Sequence, residues 1–287
     1  PNLARVRRDG ATGTMRAQEP LFSPLLWTSM AAGKPPSEHG VHGFRVHADD
    51  ARVPRFFEIA QHEGGHRVGV YKWLVTWPPQ EMTHGGFMVP AWLAPTPETA
   101  PESLSFVKEL ELSRRLKRKR LQAVRSNRAL TLAALGQGMR FSTLVEAAKW
   151  LAEERIFSPS EDTREVRLNM LRAQIDRDIF AYSVQRSEPV VATFTYYPTD
   201  ALGHRFWKYH EPEKYRDVDP VMLDEFHDAV TNAYLQADEI LGEVFDMMPE
   251  NARLVVVSDT GAVLLELILE KESRKTAPKV GTLRVME

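Results

Sequence analysis

Two spacings of apolar residues organise this chain. Across residues 219–248, Met222, Phe226, Val230, Ala233, Ala237, Leu241, Val244 and Met248 recur every three or four positions, which predicts one long helix with a single buried face. Residues 190–197 (VVATFTYY) and 253–257 (RLVVV) are instead unbroken apolar, β-branched runs, the pattern of strands covered on both faces. Residues 66–75 (HRVGVYKWLV) read as a further strand, ended by Pro78 and Pro79. Three helices precede these strands. Residues 2–10 put Leu3 and Val6 inward and stop at Gly10. A second starts at Ser23-Pro24, with Ser23 as N-cap and Pro24 as first helical residue, turns Leu26, Trp27, Met30 and Ala31 to one side, and stops at Gly33. The third covers residues 54–63 with Phe56, Phe57, Ile59 and Ala60 as its apolar face, and residues 33–44, rich in Gly, Pro and His, read as a loop.

Helix and strand alternate as in βαβ units, so the expected fold class is α/β: a doubly wound, mostly parallel sheet with a helical cap insertion. Composition shifts at residues 90–101, a Pro/Ala/Thr-rich stretch that reads as a linker. Residues 102–187 are then helical and charged, with no strand pattern. The expected organisation is a discontinuous core, residues 1–95 and 188–287, carrying a cap at residues 96–187. Past residues 264–270 the tail is polar and basic (KESRKTAPK) and is expected to be loosely held.

At 287 residues with 43% hydrophobic and 26% charged content, the chain can bury a sizeable core. It has no cysteine, so disulfides and thiolate metal sites are excluded and any metal must use His, Asp, Glu or hydroxyl oxygen. A net charge of −2 argues for neither a nucleic-acid partner nor a membrane surface, and no apolar run approaches the roughly 20 residues that span a bilayer. No leader is visible, which favours the cytoplasm; the chain starts at Pro1 without an initiator Met, so the periplasm stays open. One charge run stands out. Residues 112–145 hold no acidic residue and nine basic ones, eight of them between Arg114 and Arg128, as a solvated helical face or an anion-binding surface would.

Candidate chemistry gathers at strand and helix ends. In TYYPTDALGHRFW, residues 195–207, Asp200 and His204 follow the end of a strand, where ligands bind in open α/β sheets. Asp259 follows the other strand in VVVSDTG. If those strands are neighbours, both aspartates open into one crevice. Carboxylate plus imidazole suits Zn²⁺, Mn²⁺ or Mg²⁺. Ser23, at a helix start, would have backbone N–H groups beside it for a phosphate oxygen. Plainer roles stand beside each: Ser23 as a helix cap, Asp200 capping a helix near Leu202, His204 packing beside Trp207, Asp259 making a turn, and His39 and His42 structural in their loop.

The same residues resemble the type I phosphodiesterase/nucleotide pyrophosphatase branch of the alkaline phosphatase superfamily. Residues 1–44, from Pro-Asn-Leu through GKPPSEHG, resemble its opening helix and its T-G-K/L-x-P-x-x-H-G signature. YPTDALGHRFWKYHEPEKY resembles its D-x-x-x-H motif and VVVSDTG its V-V-x-S-D-H-G motif. The resemblance spans about residues 1–95 and 188–262. It implies Ser23, ten residues before Gly33, as nucleophile, rather than Thr28 or Ser29 inside the helix. It also implies two divalent metal ions, zinc or manganese, with Asp200 and His204 on one and Asp259 on the other.

Departures from the family pattern are plain. Thr260 stands where the pattern has His, no histidine follows His227, and Leu26 stands where some members place an Asn. The pattern's first metal-binding Asp lies on a strand before the Pro-Asn-Leu helix, where this chain begins, which implies an N-terminally incomplete representative. Two functions from different classes follow: a metal-dependent phosphohydrolase acting on phosphate esters, nucleotides among them, or a catalytically inactive relative that binds an anionic ligand or partner. A sulfatase is disfavoured, because Ser23-Pro24-Leu25-Leu26-Trp27 lacks the Arg of that signature.

Overall fold

The computed structural model describes residues 1–17, 19–119, 127–259 and 281–285. In chain order its elements are α1 (Asn2–Asp9), β1 (Ala11–Met15), α2 (Ser23–Ala32), α3 (Pro36–His39), α4 (Phe56–His62), β2 (Val68–Tyr71), β3 (Phe87–Val89), α5 (Ser105–Lys119), α6 (Asn127–Gly136), α7 (Phe141–Phe157), α8 (Glu161–Ser187), β4 (Val191–Phe194), α9 (Pro198–His210), α10 (Pro220–Phe226), α11 (Ala229–Met247), β5 (Val255–Val257) and β6 (Gly281–Val285), with short 3₁₀ turns between them. They fall into two compact units. Unit 1 holds residues 1–18, 147–173 and 196–287, and unit 2 holds residues 19–146 and 174–195.

Unit 2 contains a parallel sheet in the order β3-β2-β4. All four residues of β2 are buried, as an apolar central strand requires. Gly69 is there because a Cβ would come within 2.4 Å of the Phe87 ring on the neighbouring strand. One face of this sheet packs Val68, Val70 and Met88 against Ala31 of α2 and Phe57 of α4. On its other face Tyr71, Phe87 and Phe194 surround Phe180 of α8, with ring centroids 4.9–6.4 Å from it. Helices on both faces of a parallel sheet make the fold α/β and doubly wound, as expected.

Unit 1 is built on α9, α10 and α11. Leu202, Phe206 and Tyr209 of α9 meet Phe226, Val230 and Ala233 in one buried cluster. The helix α1 is fastened to α11 by Asp238, whose carboxylate accepts from the backbone N–H of Asn2 at 3.0 Å and of Leu3 at 2.7 Å. A three-stranded antiparallel sheet, in the order β1-β6-β5, completes the unit.

Several expectations change. The helix at residues 219–248 is two helices: Asp219 caps α10 by accepting from Val221 and Met222, and the chain breaks at His227–Asp228. The His227 ring lies 3.2 and 3.1 Å from the carbonyls of Leu223 and Asp224, where it can bond the last turn of α10. The break preserves helical phase, so periodicity alone does not show it. Residues 253–257 give a three-residue strand in the antiparallel sheet, with Val255 more than half exposed, rather than a strand buried in the parallel sheet. The strand at residues 66–75 stops at Tyr71, because Lys72 turns into the left-handed region at φ 59°. The loop at residues 33–44 contains α3, closed by Gly40 at φ 79°. Residues 90–101 are packed within unit 2, with Ala91 and Ala94 buried, rather than forming a linker. The tail beyond 264–270 lies outside the described residues as far as residue 280, and so do the side chains of the basic run Arg114–Arg128.

Candidate functional site

Asp200 and His204 sit on α9, the helix that follows β4. Pro198 starts that helix, and Asp200 lies in its first turn, where a carboxylate complements the positive end of the helix dipole. Leu202, Phe206 and Tyr209 take the buried face. Asp200 and His204, four residues apart, therefore share the opposite face, one turn above the other. Their side chains are each about half exposed, and His204 Nε2 lies 3.2 Å from Asp200 Oδ1. The hydrogen bond to Asp200 raises the pKa of His204; burial opposes this, and the charges of Asp200 and then Asp259 add to it.

Asp259 is thus brought within electrostatic reach of this pair. It follows β5 after Ser258 and is partly buried. Unit 1 therefore holds three of the four sequence-derived residues, although β4 and β5 belong to different sheets. The 3.2 Å between Asp200 Oδ1 and His204 Nε2 is the separation of a direct hydrogen bond. Among the described residues, no group of three or more His, Asp or Glu is arranged to hold a metal.

Ser23 belongs to unit 2. It is the first residue of α2, not its cap; Phe22 holds the cap position without a side-chain hydrogen bond. The serine hydroxyl is therefore not used in capping. The helix ends in a left-handed Gly33 at φ 62°. Around Ser23 lies a feature invisible in the periodicity. Phe22, Phe44 and Trp92, from three separate chain segments, form an exposed aromatic group, with Phe44 centred 5.6 Å from Phe22 and 6.4 Å from Trp92.

The other hydroxyls of α2 are occupied. Thr28 Oγ1 donates to the Pro24 carbonyl at 2.7 Å in the buried core. Ser29 Oγ is 2.9 Å from Nε2 of His39, a wholly buried residue. The Val41 N–H donates to His39 Nδ1 at 3.1 Å, so in the neutral ring Nε2 carries the proton and donates to Ser29. Burial, then the charge of His42, lowers the pKa of His39 and keeps it neutral. That hydrogen-bond direction makes His39 a structural residue, not a base acting on Ser29. His42 is exposed.

Sequence reading missed a buried network at the carboxyl end of β2. Lys72 Nζ lies 2.7 Å from Asp176 and 3.1 Å from Glu111. Lys108, wholly buried, lies 2.7 Å from the other Glu111 oxygen and donates to the Ala91 carbonyl at 2.8 Å. The Tyr71 hydroxyl donates to the second Asp176 oxygen at 3.0 Å. Burial pushes Lys108 down to about 8, against the pull of Glu111. In Glu111 the burial penalty is outweighed by Lys72 and Lys108, which hold it at about 2. Burial and then Asp176 push the Tyr71 phenol well up. The one signal in the sequence was a lysine inside the run VGVYKWLV, because a charge on a buried strand must be paired. Its partner, 104 residues away, has no local signature.

The fold is α/β, and α9 carries a carboxylate–imidazole pair with a further aspartate in electrostatic reach. The chain belongs to the type I phosphodiesterase / nucleotide pyrophosphatase family, whose model matches residues 1–271. This places it among hydrolases of phosphodiester and pyrophosphate bonds, a generally metal-dependent family acting on phosphate esters or nucleotides. No curated protein and no solved structure matches the chain. No described helix is long and apolar enough to cross a membrane.

Proposed function

We propose that this chain is a phosphohydrolase in which Ser23 is the nucleophile and Asp200, His204 and Asp259 are metal ligands. The carrying observation is the His204–Asp200 pair at 3.2 Å, with Asp259 close enough for its charge to act on the same ring. Zinc or manganese, two ions by the resemblance, would supply Lewis-acid polarisation of a phosphate oxygen and lower the pKa of a bound hydroxyl. For both to act as ligands, the hydrogen bond between His204 Nε2 and Asp200 would give way to the ion, since that nitrogen must be unprotonated to serve as a ligand.

Ser23 is favoured over its neighbours because Thr28 and Ser29 already spend their hydroxyls on Pro24 and His39. Its position at the start of α2 puts first-turn N–H groups, which lack intrahelical acceptors, beside its hydroxyl. Those groups and the helix dipole favour a phosphoryl oxygen there. The exposed Phe22, Phe44 and Trp92 rings support a substrate with an aromatic group, such as a nucleotide or aryl ester.

A second reading is a relative that binds such esters without turnover, and it rests on Thr260 standing where the family pattern has His. Turnover of bis(p-nitrophenyl) phosphate with added Zn²⁺ or Mn²⁺ separates the two. The enzyme reading expects turnover that Ser23→Ala abolishes. Full activity in Ser23→Ala removes Ser23 from the mechanism, and tight ester binding without turnover in the parent chain supports the inactive relative.

A further inference from the structure

The loop leaving β2 is strained and buried at once. Lys72 and Val75 both have φ 59°, the left-handed region that disfavours side chains and most of all β-branched ones. Such a backbone is strained, and it persists only where its surroundings over-determine it. Here they do. All five residues, Lys72, Trp73, Leu74, Val75 and Thr76, are buried. At one end the Lys72 N–H donates to the Val89 carbonyl at 2.7 Å, and its ammonium is held between Asp176 and Glu111. At the other end the buried Arg55 guanidinium donates to the Val75 carbonyl while pairing with Glu58. Between them Thr76 Oγ1 donates back to the Trp73 carbonyl at 2.6 Å.

This doubly pinned turn presents Trp73. Its ring meets Trp27 of α2 edge-on, centroids 4.7 Å apart at 86°, and it also packs on Phe56 and Phe57. Its Nε1–H donates to the Trp27 carbonyl at 3.3 Å. Trp27 lies four residues after Ser23, one turn along the same side of the helix. The clamp therefore grips α2 one turn below its first residue. An unstrained loop could have supplied ordinary apolar burial, so the strain calls for a reason beyond burial.

We propose that Trp73 is a positioning residue for Ser23. The turn from Lys72 to Val75 fixes the indole, the indole fixes the Trp27 turn of α2, and that turn sets where the serine hydroxyl stands. The proposal rests on Ser23 being the nucleophile. The Lys72–Val75 turn itself leaves the carboxyl end of β2, a parallel strand, where α/β sheets carry their chemistry. A nucleophile displaced by about 1 Å can lose on the order of a hundredfold in rate with substrate binding intact.

The test uses the whole chain with Zn²⁺ or Mn²⁺ and bis(p-nitrophenyl) phosphate, each rate normalised to the folded fraction by circular dichroism. Trp73→Phe and Trp27→Phe, which act from opposite sides of one contact, should each lower kcat about tenfold with KM within about twofold. The double variant should lose little more than either single one, since both break the same ring contact. Phe180→Leu, on the far face of the same sheet, should lower the melting temperature and leave kcat unchanged. The proposal is overturned if folded Trp73→Phe and Trp27→Phe keep kcat within twofold, or if Phe180→Leu loses as much. Ser23→Ala separates the layers. If it stays active, the nucleophile assignment fails; if it is dead while both tryptophan variants match the parent, only the positioning role fails.

Discussion

Two charge clusters in this molecule answer to opposite physics. On α9, Asp200 and His204 are about half exposed and make one hydrogen bond to each other, with Asp259 in electrostatic reach. At the end of β2, Lys72, Lys108, Glu111 and Asp176 are withdrawn from water and alternate in sign. An exposed pair contributes little to stability, because water screens it and solvates each partner. It is correspondingly free to exchange its partner for a ligand. A buried network has no such freedom, since every unpaired charge would carry its full desolvation cost. On the proposed reading the first cluster reacts, whereas the second holds shape.

The sharpest way to break this contrast is Lys72→Met. It leaves the Asp176 and Glu111 carboxylates without the cation they share and should cost about 3–5 kcal/mol in denaturant unfolding. A loss below 1 kcal/mol would mean the network does not hold the fold. Next comes His204→Ala, which should change stability by less than about 1 kcal/mol while lowering phosphodiesterase activity about a hundredfold. Equal losses in stability and activity would erase the distinction between the clusters.

The smallest effect is the pH dependence of the buried cluster, read as melting temperature against pH. Glu111 is held at about 2, below its ordinary 4.5, so its ionisation favours the fold. That contribution is complete above pH 4.5 and is lost as pH falls toward 2. Lys108 works the other way: at about 8 against an ordinary 10.5, its charged form is disfavoured by the fold. The penalty is present below pH 8 and is relieved between pH 8 and 10.5. Glu111→Gln should flatten the acid limb and Lys108→Met the alkaline rise, and an unchanged profile in either variant would contradict the assignment.

What was legible in the sequence follows its range. The apolar face of Phe226, Val230, Ala233 and Leu241 is buried as its spacing implied, because helical periodicity is a local property. Gly33 ends α2 in the left-handed conformation that glycine allows. Ser23-Pro24 marked a helix start correctly and its roles one position off, since Phe22, with no capping side chain, holds the cap. The run at residues 253–257 looked like a buried parallel strand, yet an apolar triplet says nothing about which strand it will meet. It paired antiparallel with Gly281–Val285.

The sequence by itself determined the alternation of helix and strand, the inward faces, and the four-residue spacing of Asp200 and His204 after a strand. It also carried the motif order that the family match at residues 1–271 supports. Tertiary structure alone decided that Asp259 acts on His204, that a lysine after β2 is neutralised by residues 39 and 104 positions away, and that a strained turn grips α2 through Trp73. Backbone preference and periodicity act over a few residues and can be read directly. Electrostatic pairing and side-chain packing depend on distances that exist only once the chain has folded.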